Sequence, residues 1–173
     1  ALADTHAIEQ VDIVDISRDV LTMSRTLGTD THEVGGDPGQ LSPLDDPRVN
    51  IHIEDGRFFL ETTDDRFDII TGEPPPPKLA GVVNLYTREY FELIYAKLAD
   101  GGITTYWLPV HGLLANETKA ILRAFCEVFE DCTLWTGAGL DWLMMGSRGF
   151  EGPVPLKHFE KQWRDPIVSR ELV

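Results

Sequence analysis

Short apolar runs alternate with helical stretches along most of this chain, and that alternation constrains its fold more than any other feature. Residues 11–16 (VDIVDI) read as a strand, and residues 18–27 as the helix that follows it. Residues 48–54 place Val49, Ile51 and Ile53 on one face, at the period of two that marks a strand. Asp55-Gly56 then turns the chain into a short helix over 57–62. Phe67-Asp68-Ile69-Ile70 reads as a buried strand, stopped by Gly72-Glu73 and a run of four prolines. Strands separated by helices pair in parallel, in a sheet covered by helices on its faces.

The second half continues the pattern. Thr87 is placed to cap a helix with Tyr90, Phe91, Ile94, Tyr95 and Leu98 on one side and Gly101-Gly102 at its end. Residues 103–108 form the next strand, and Asn116 is placed to cap a helix whose inner face is Ile121, Ala124, Phe125, Val128 and Phe129. Strands at 133–136 and 142–146, joined by residues 137–141, make a closing antiparallel hairpin. The expected class is α/β with a mixed sheet, one domain over residues 1–149. Residues 150–173, with Pro153, Pro155 and Pro166, read as a peripheral tail.

Composition narrows the function classes. The 173 residues, 42% apolar and 25% charged, suit an ordinary globular domain. Fifteen Lys and Arg against 29 Asp and Glu give a net charge of −14. That balance disfavours nucleic acid and anionic membranes and suits a cationic partner such as an amine. No window holds the roughly 18 to 20 uninterrupted apolar residues of a membrane helix. Residues 1–10 (ALADTHAIEQ) lack the basic start and apolar stretch of a secretory signal. Cys126 and Cys132 make no disulfide framework and read as packing residues at a helix end and a strand start, so a reducing, cytoplasmic setting is expected.

In open α/β sheets ligands bind at the carboxyl ends of the strands, which singles out Asp15, Asp55 and Glu73. An acid such as Asp15 at the end of a strand can accept from both hydroxyls of a ribose; it can equally be a loop or capping acid. Asp55-Gly56 lets the backbone approach a flat ring while the carboxylate accepts from an exocyclic amine, and it is also the composition of a simple turn. Glu73, held between Gly72 and Pro74, can hold a cation or act as a base, or be a solvated loop acid. The histidines His6, His32, His52, His111 and His158 lack metal-ligand spacing, so no metal site is expected. His111 reads as a loop histidine near a cleft, Asp45-Asp46 and Asp64-Asp65 as solvated turns, and Trp107, Trp135 and Trp142 as core.

Four segments carry a resemblance: residues 11–25 (VDIVDISRDVLTMSR), 46–60 (DPRVNIHIEDGRFFL), 67–73, and 85–102 (LYTREYFELIYAKLADGG). With residues 73–109 as its most specific part, the stretch from about 5 to 148 resembles the spermidine synthase, or polyamine aminopropyltransferase, family. The closest likeness is to its divergent branch, in which a synthase-like domain is often fused to a membrane-transporter-like region. The resemblance implies the Rossmann-like fold of S-adenosylmethionine-dependent methyltransferases, with no tightly bound cofactor. Decarboxylated S-adenosylmethionine, or S-adenosylmethionine itself, is the implied co-substrate. By the same likeness Asp15 would hold the ribose, Asp55 with Gly56 would contact the adenine, Glu73 would stand for the catalytic acid that deprotonates the attacking amine, and Tyr86 would line the amine side.

The sequence also departs from the pattern. The synthases carry a second aspartate before proline in the strand-end loop, where this chain has Pro74 to Pro77 and no acid. Residues 1–9 match the helix after the family's first strand and Gly-rich turn, so a truncated domain lacking both, and lacking the N-terminal β domain, is expected. Such a sheet would be closed by rearrangement or by a second copy, giving a homodimer. The functions implied are aminopropyl transfer to an amine, impaired in this chain; small-molecule methylation from S-adenosylmethionine; or a non-catalytic nucleoside-binding or assembly role.

Overall fold

The computed structural model describes residues 8–29, 43–136 and 142–149 together with Arg164. The chain divides into two compact units, residues 1–59 with 153–173, and residues 60–152. The expected tail at 150–173, the hairpin connection 137–141, and His6, His32 and His158 lie outside the described residues, Arg164 excepted.

In the first unit, β1 (Val11–Val14) pairs in parallel with β2 (Val49–His52), Val11 opposite Val49 and Val14 opposite His52. The parallel pairing follows from the crossover between them, which includes α1 (Arg18–Thr29). β1 is shorter than the sequence suggests: Asp15 lies just past it, and Ile16 is 74% exposed. Polar groups lock the register on one face. The Asp12 carboxylate accepts from Gln10 Nε2 at 2.7 Å and Asn50 Nδ2 at 3.3 Å, and stands 2.9 Å from His52 Nε2. Burial pushes this carboxyl up, but those bonds outweigh it and hold Asp12 below the ordinary value. At the entry to β2, Asp46 is no solvated turn acid. It takes Arg48 Nε at 3.0 Å and Nη2 at 2.7 Å, while Arg48 Nη1 reaches the Ile8 carbonyl at 3.0 Å.

α2 (Gly56–Thr62) leads into the second unit, whose sheet has the order β3-β4-β6-β5: β3 (Phe67–Gly72), β4 (Leu98–Leu108), β5 (Thr133–Thr136) and β6 (Trp142–Ser147). β3 is parallel to β4, while β6 is antiparallel to both β4 and β5, so the sheet is mixed as expected. α3 (Arg88–Lys97) and α4 (Ala115–Cys126) supply the apolar side chains that cover it. Along β4, Gly102, Thr104, Tyr106 and Leu108 are buried in strict alternation. Aromatic rings tie helices to sheet: Phe91 meets Tyr106 at 5.3 Å and Phe125 at 5.1 Å, and Phe125 stacks on Phe129 at 4.6 Å.

Several boundaries differ from the sequence reading. α3 stops at Lys97 and not at the glycines, because Leu98, fully buried, pairs with Phe67 and opens β4. Gly101 and Gly102 instead form an irregularity in β4, where the register passes from Phe67–Leu98 to Ile69–Ile103. Gly101 has φ +80°, and a Cβ on Gly102 would stand 2.9 Å from the Phe67 carbonyl oxygen, so both positions need glycine. α4 begins at Ala115, with Leu114 as its cap residue and Asn116 inside the first turn. Trp135 is 58% exposed, because β5 is an edge strand with no described neighbour on its outer side. Cys126 and Cys132 are bonded to each other, with Cα atoms 5.2 Å apart, so they are not free packing thiols. No described helix is long and apolar enough to cross a membrane.

Candidate functional site

In the first unit Asp15 directly follows β1 and Asp55 stands three residues past β2, both beyond the carboxyl ends of the parallel pair. Asp15 is fixed through its backbone, whose N–H donates to the His52 carbonyl at 3.1 Å. Its Oδ1 accepts from the Ser17 N–H at 2.7 Å. Asp55 Oδ1 accepts from the N–H groups of Arg57 at 2.9 Å and Phe58 at 3.0 Å, so it is the N-terminal cap of α2. Asp55 thus caps a helix, whereas Asp15 closes the turn before α1, whose first turn is capped by Ser17 Oγ accepting from the Val20 N–H at 3.4 Å; each aspartate uses one oxygen. Oδ2 of each carries no hydrogen bond among the described residues and remains available to accept from a ligand. At Gly56 an added Cβ would meet nothing within 4 Å, so the backbone there faces open space.

Glu73 and Tyr86 belong to the second unit. Glu73 follows Gly72 at the end of β3, is exposed, and has no hydrogen bond or ion pair among the described residues. Gly72 packs closely against the Tyr106 ring: a Cβ there would come within 2.8 Å of Tyr106 Cδ2. Tyr86 is buried, and its hydroxyl donates to the carbonyls of Pro74 at 3.0 Å and Pro75 at 3.2 Å. Burial pushes its phenol far up, so Tyr86 stays a neutral donor and holds the proline run in place. The Tyr106 hydroxyl donates to Leu85 O at 2.6 Å, and burial raises its phenol as well.

A cavity of about 320 Å³ opens beside this run. Pro77, Val83, Tyr86 and Leu113 line it, with Lys78 and Glu117 as its charged groups. Sequence reading passed over both charges. The signal for Glu117 was its place three residues after Leu114, the spacing at which a Glu reaches back to the N–H of the cap residue, here at 2.7 Å. His111 is exposed with its ring 5.9 Å from Trp107, as a loop histidine would be.

Comparison with known proteins agrees with this architecture. The family model of the spermine/spermidine synthase domain matches residues 3–135. A polyamine aminopropyltransferase of Alkaliphilus oremlandii is 27% identical over 132 residues, which are 75% of this chain and 43% of that protein. A solved spermidine synthase in complex with the transition state analogue AdoDATO superposes with a TM-score of 0.69 at 20% identity, covering 87% of this chain and 50% of that one. Human methyltransferase-like protein 13, solved with SAH, superposes with a TM-score of 0.60 at 14% identity, covering 95% and 78%. The chain thus spans less than half the length of that aminopropyltransferase and about half that of the solved synthase. By its sequence match and by its Rossmann-like α/β fold, the chain belongs to the spermine/spermidine synthase family.

Proposed function

We propose that this domain binds the nucleoside of decarboxylated S-adenosylmethionine and serves aminopropyl transfer to an amine. The observation that carries the reading is the paired construction of Asp15 and Asp55: one oxygen of each is spent on the following turn and the other is left to accept from a ligand. Asp15 would take the ribose hydroxyls, and Asp55 with Gly56 the adenine, its exocyclic amine on the carboxylate and its ring against the open backbone. Glu73 would take the proton that the amine loses as its nitrogen attacks the methylene carbon on the sulfonium. The C–S bond then breaks, its electron pair stays on sulfur, and 5′-methylthioadenosine leaves as a neutral thioether. Tyr86, neutral and fully engaged, would shape the amine side and take no proton.

The proline run without an acid favours a second reading, methylation of a small acceptor from S-adenosylmethionine on the same nucleoside pocket. A third, a binding or assembly role, keeps the pocket and needs no base. Glu73→Gln separates the enzymes from the binder. Turnover should collapse while 5′-methylthioadenosine binding survives; unchanged turnover removes Glu73 from the mechanism. Assays with the two sulfonium donors then separate the enzymes from each other. A homodimer would cover exposed strand edges such as β3, and light scattering that shows a monomer at assay concentration excludes it.

A cytoplasmic setting competes with the Cys126–Cys132 bond, since disulfides persist in oxidising compartments. Thiol titration of freshly purified, unreduced chain decides: two reactive thiols favour the cytoplasm, none favours an oxidising site.

A further inference from the structure

The proline run lacks an acid, but the cavity beside it has one. We infer that Glu117 holds the cationic end of an alkylamine acceptor, with the methylene chain lying against Pro77, Val83 and Leu113. This rests on the amine-transfer reading above and adds to it a residue that determines the acceptor.

The carboxylate is built into place. Glu117 Oε2 accepts from the Leu114 N–H at 2.7 Å, which fixes the side chain at the first turn of α4. Oε1 carries no hydrogen bond among the described residues. Among the described residues its ion-pair partner is Lys78, whose Nζ stands 3.8 Å from Oε2, beyond hydrogen-bond reach. With side chains 57% and 39% exposed, that pair is worth little, and an incoming ammonium can displace Lys78 into water without leaving a buried charge unpaired. Most of the lining is apolar and suits methylenes, with Thr87 as the one neutral hydroxyl side chain besides Tyr86. An anion on Lys78 would face Glu117 and a chain of net charge −14.

Tyr86 ties the cavity to the chemistry. Its ring lines the cavity, while its hydroxyl is held by the carbonyls of Pro74 and Pro75, the two residues directly after Glu73. An amine seated on Glu117 therefore lies along the wall whose other side fixes the strand end that bears the proposed base. The acid missing from the proline run is supplied by α4, from a position remote in sequence.

Calorimetric titration of the full chain with 1,5-diaminopentane tests this, with 1,5-pentanediol and pentanedioate as uncharged and anionic probes of equal length. Glu117→Gln removes the charge while glutamine keeps the reach to Leu114 N–H. Wild-type chain should bind the diamine and neither of the other probes. Glu117→Gln should weaken diamine binding about tenfold or more, the loss of a charge-assisted contact. Lys78→Gln should tighten it about two- to fivefold by removing the internal competitor. Affinity for 5′-methylthioadenosine should be the same in all three proteins. Diamine binding that is absent from wild type or unchanged in Glu117→Gln overturns the inference, as does Lys78-dependent binding of pentanedioate. Should Glu117→Gln fail to fold, weaker diamine binding by Lys78→Gln overturns it. Glu117-dependent diamine binding without nucleoside binding would sink the nucleoside reading and leave the role of Glu117 standing.

Discussion

The hydroxyl of Tyr86 donates to the carbonyl of Pro74 at 3.0 Å, which fixes the residue next to Glu73 from a turn twelve positions further along the chain. A proline run has no N–H groups to donate, so its carbonyls must find their partners elsewhere. Tyr86→Phe keeps the ring against Tyr106, centroids 5.7 Å apart, and removes only the donor. The expected cost is about 0.5–1.5 kcal/mol of stability, read as a lower urea midpoint at unchanged slope. An unaltered midpoint would mean that the proline carbonyls are satisfied by water alone.

Gly72 abuts the fully buried Tyr106 ring, and Tyr106 has no room to retreat among Phe91, Tyr90 and Tyr86. Gly72→Ala should therefore destabilise the protein by about 1–3 kcal/mol through overpacking, measured by denaturant unfolding. The same change at Gly56, where an added Cβ meets nothing, should leave packing untouched and register only in nucleoside binding.

Asp46 supplies a pH signature. Hydrogen bonds from Arg48 hold its carboxyl at about 2, below its ordinary 3.8. A depressed carboxyl contributes stability that is fully present above the unfolded value and lost as pH falls through the folded one. Asp46→Asn should therefore lower Tm at neutral pH, with the gap from wild type closing between about pH 4 and pH 2. A gap independent of pH would show that the charge of Asp46 plays no part.

Asp55 is expected to separate structure from binding. Asp55→Ala removes the cap of α2 and should cost about 0.5–2 kcal/mol, whereas Asp55→Asn caps nearly as well. Both should weaken nucleoside binding. If Asp55→Asn binds 5′-methylthioadenosine like wild type, the carboxylate is a cap and nothing more.

Much of this was legible in the sequence because period and punctuation are local signals. The order of strands and helices, the mixed sheet and the three strand-end acids follow from apolar runs and from where they stop. What failed depended on contacts distant in the chain. Gly101-Gly102 looked like the end of α3, but the pairing of Leu98 with Phe67 takes the chain into a strand earlier and leaves the glycines to make the irregularity in β4. Alternation made Trp135 look like core, yet it cannot tell an edge strand from a central one. Six residues between Cys126 and Cys132 say nothing of how their side chains point, and the turn that ends α4 brings them together. The cavity was invisible for the same reason: Pro77 and Glu117 line it together only once the turn after the proline run and α4 are packed in three dimensions.

The most direct test is a calorimetric titration of this chain with 5′-methylthioadenosine, alongside Asp15→Asn. Asparagine keeps an oxygen for the Ser17 N–H and removes the charge, so local structure should hold. Saturable binding by wild type, weakened about tenfold or more in Asp15→Asn, is the expected result. No saturable binding, or equal affinity in the two proteins, would contradict a nucleoside site built on the strand-end acids.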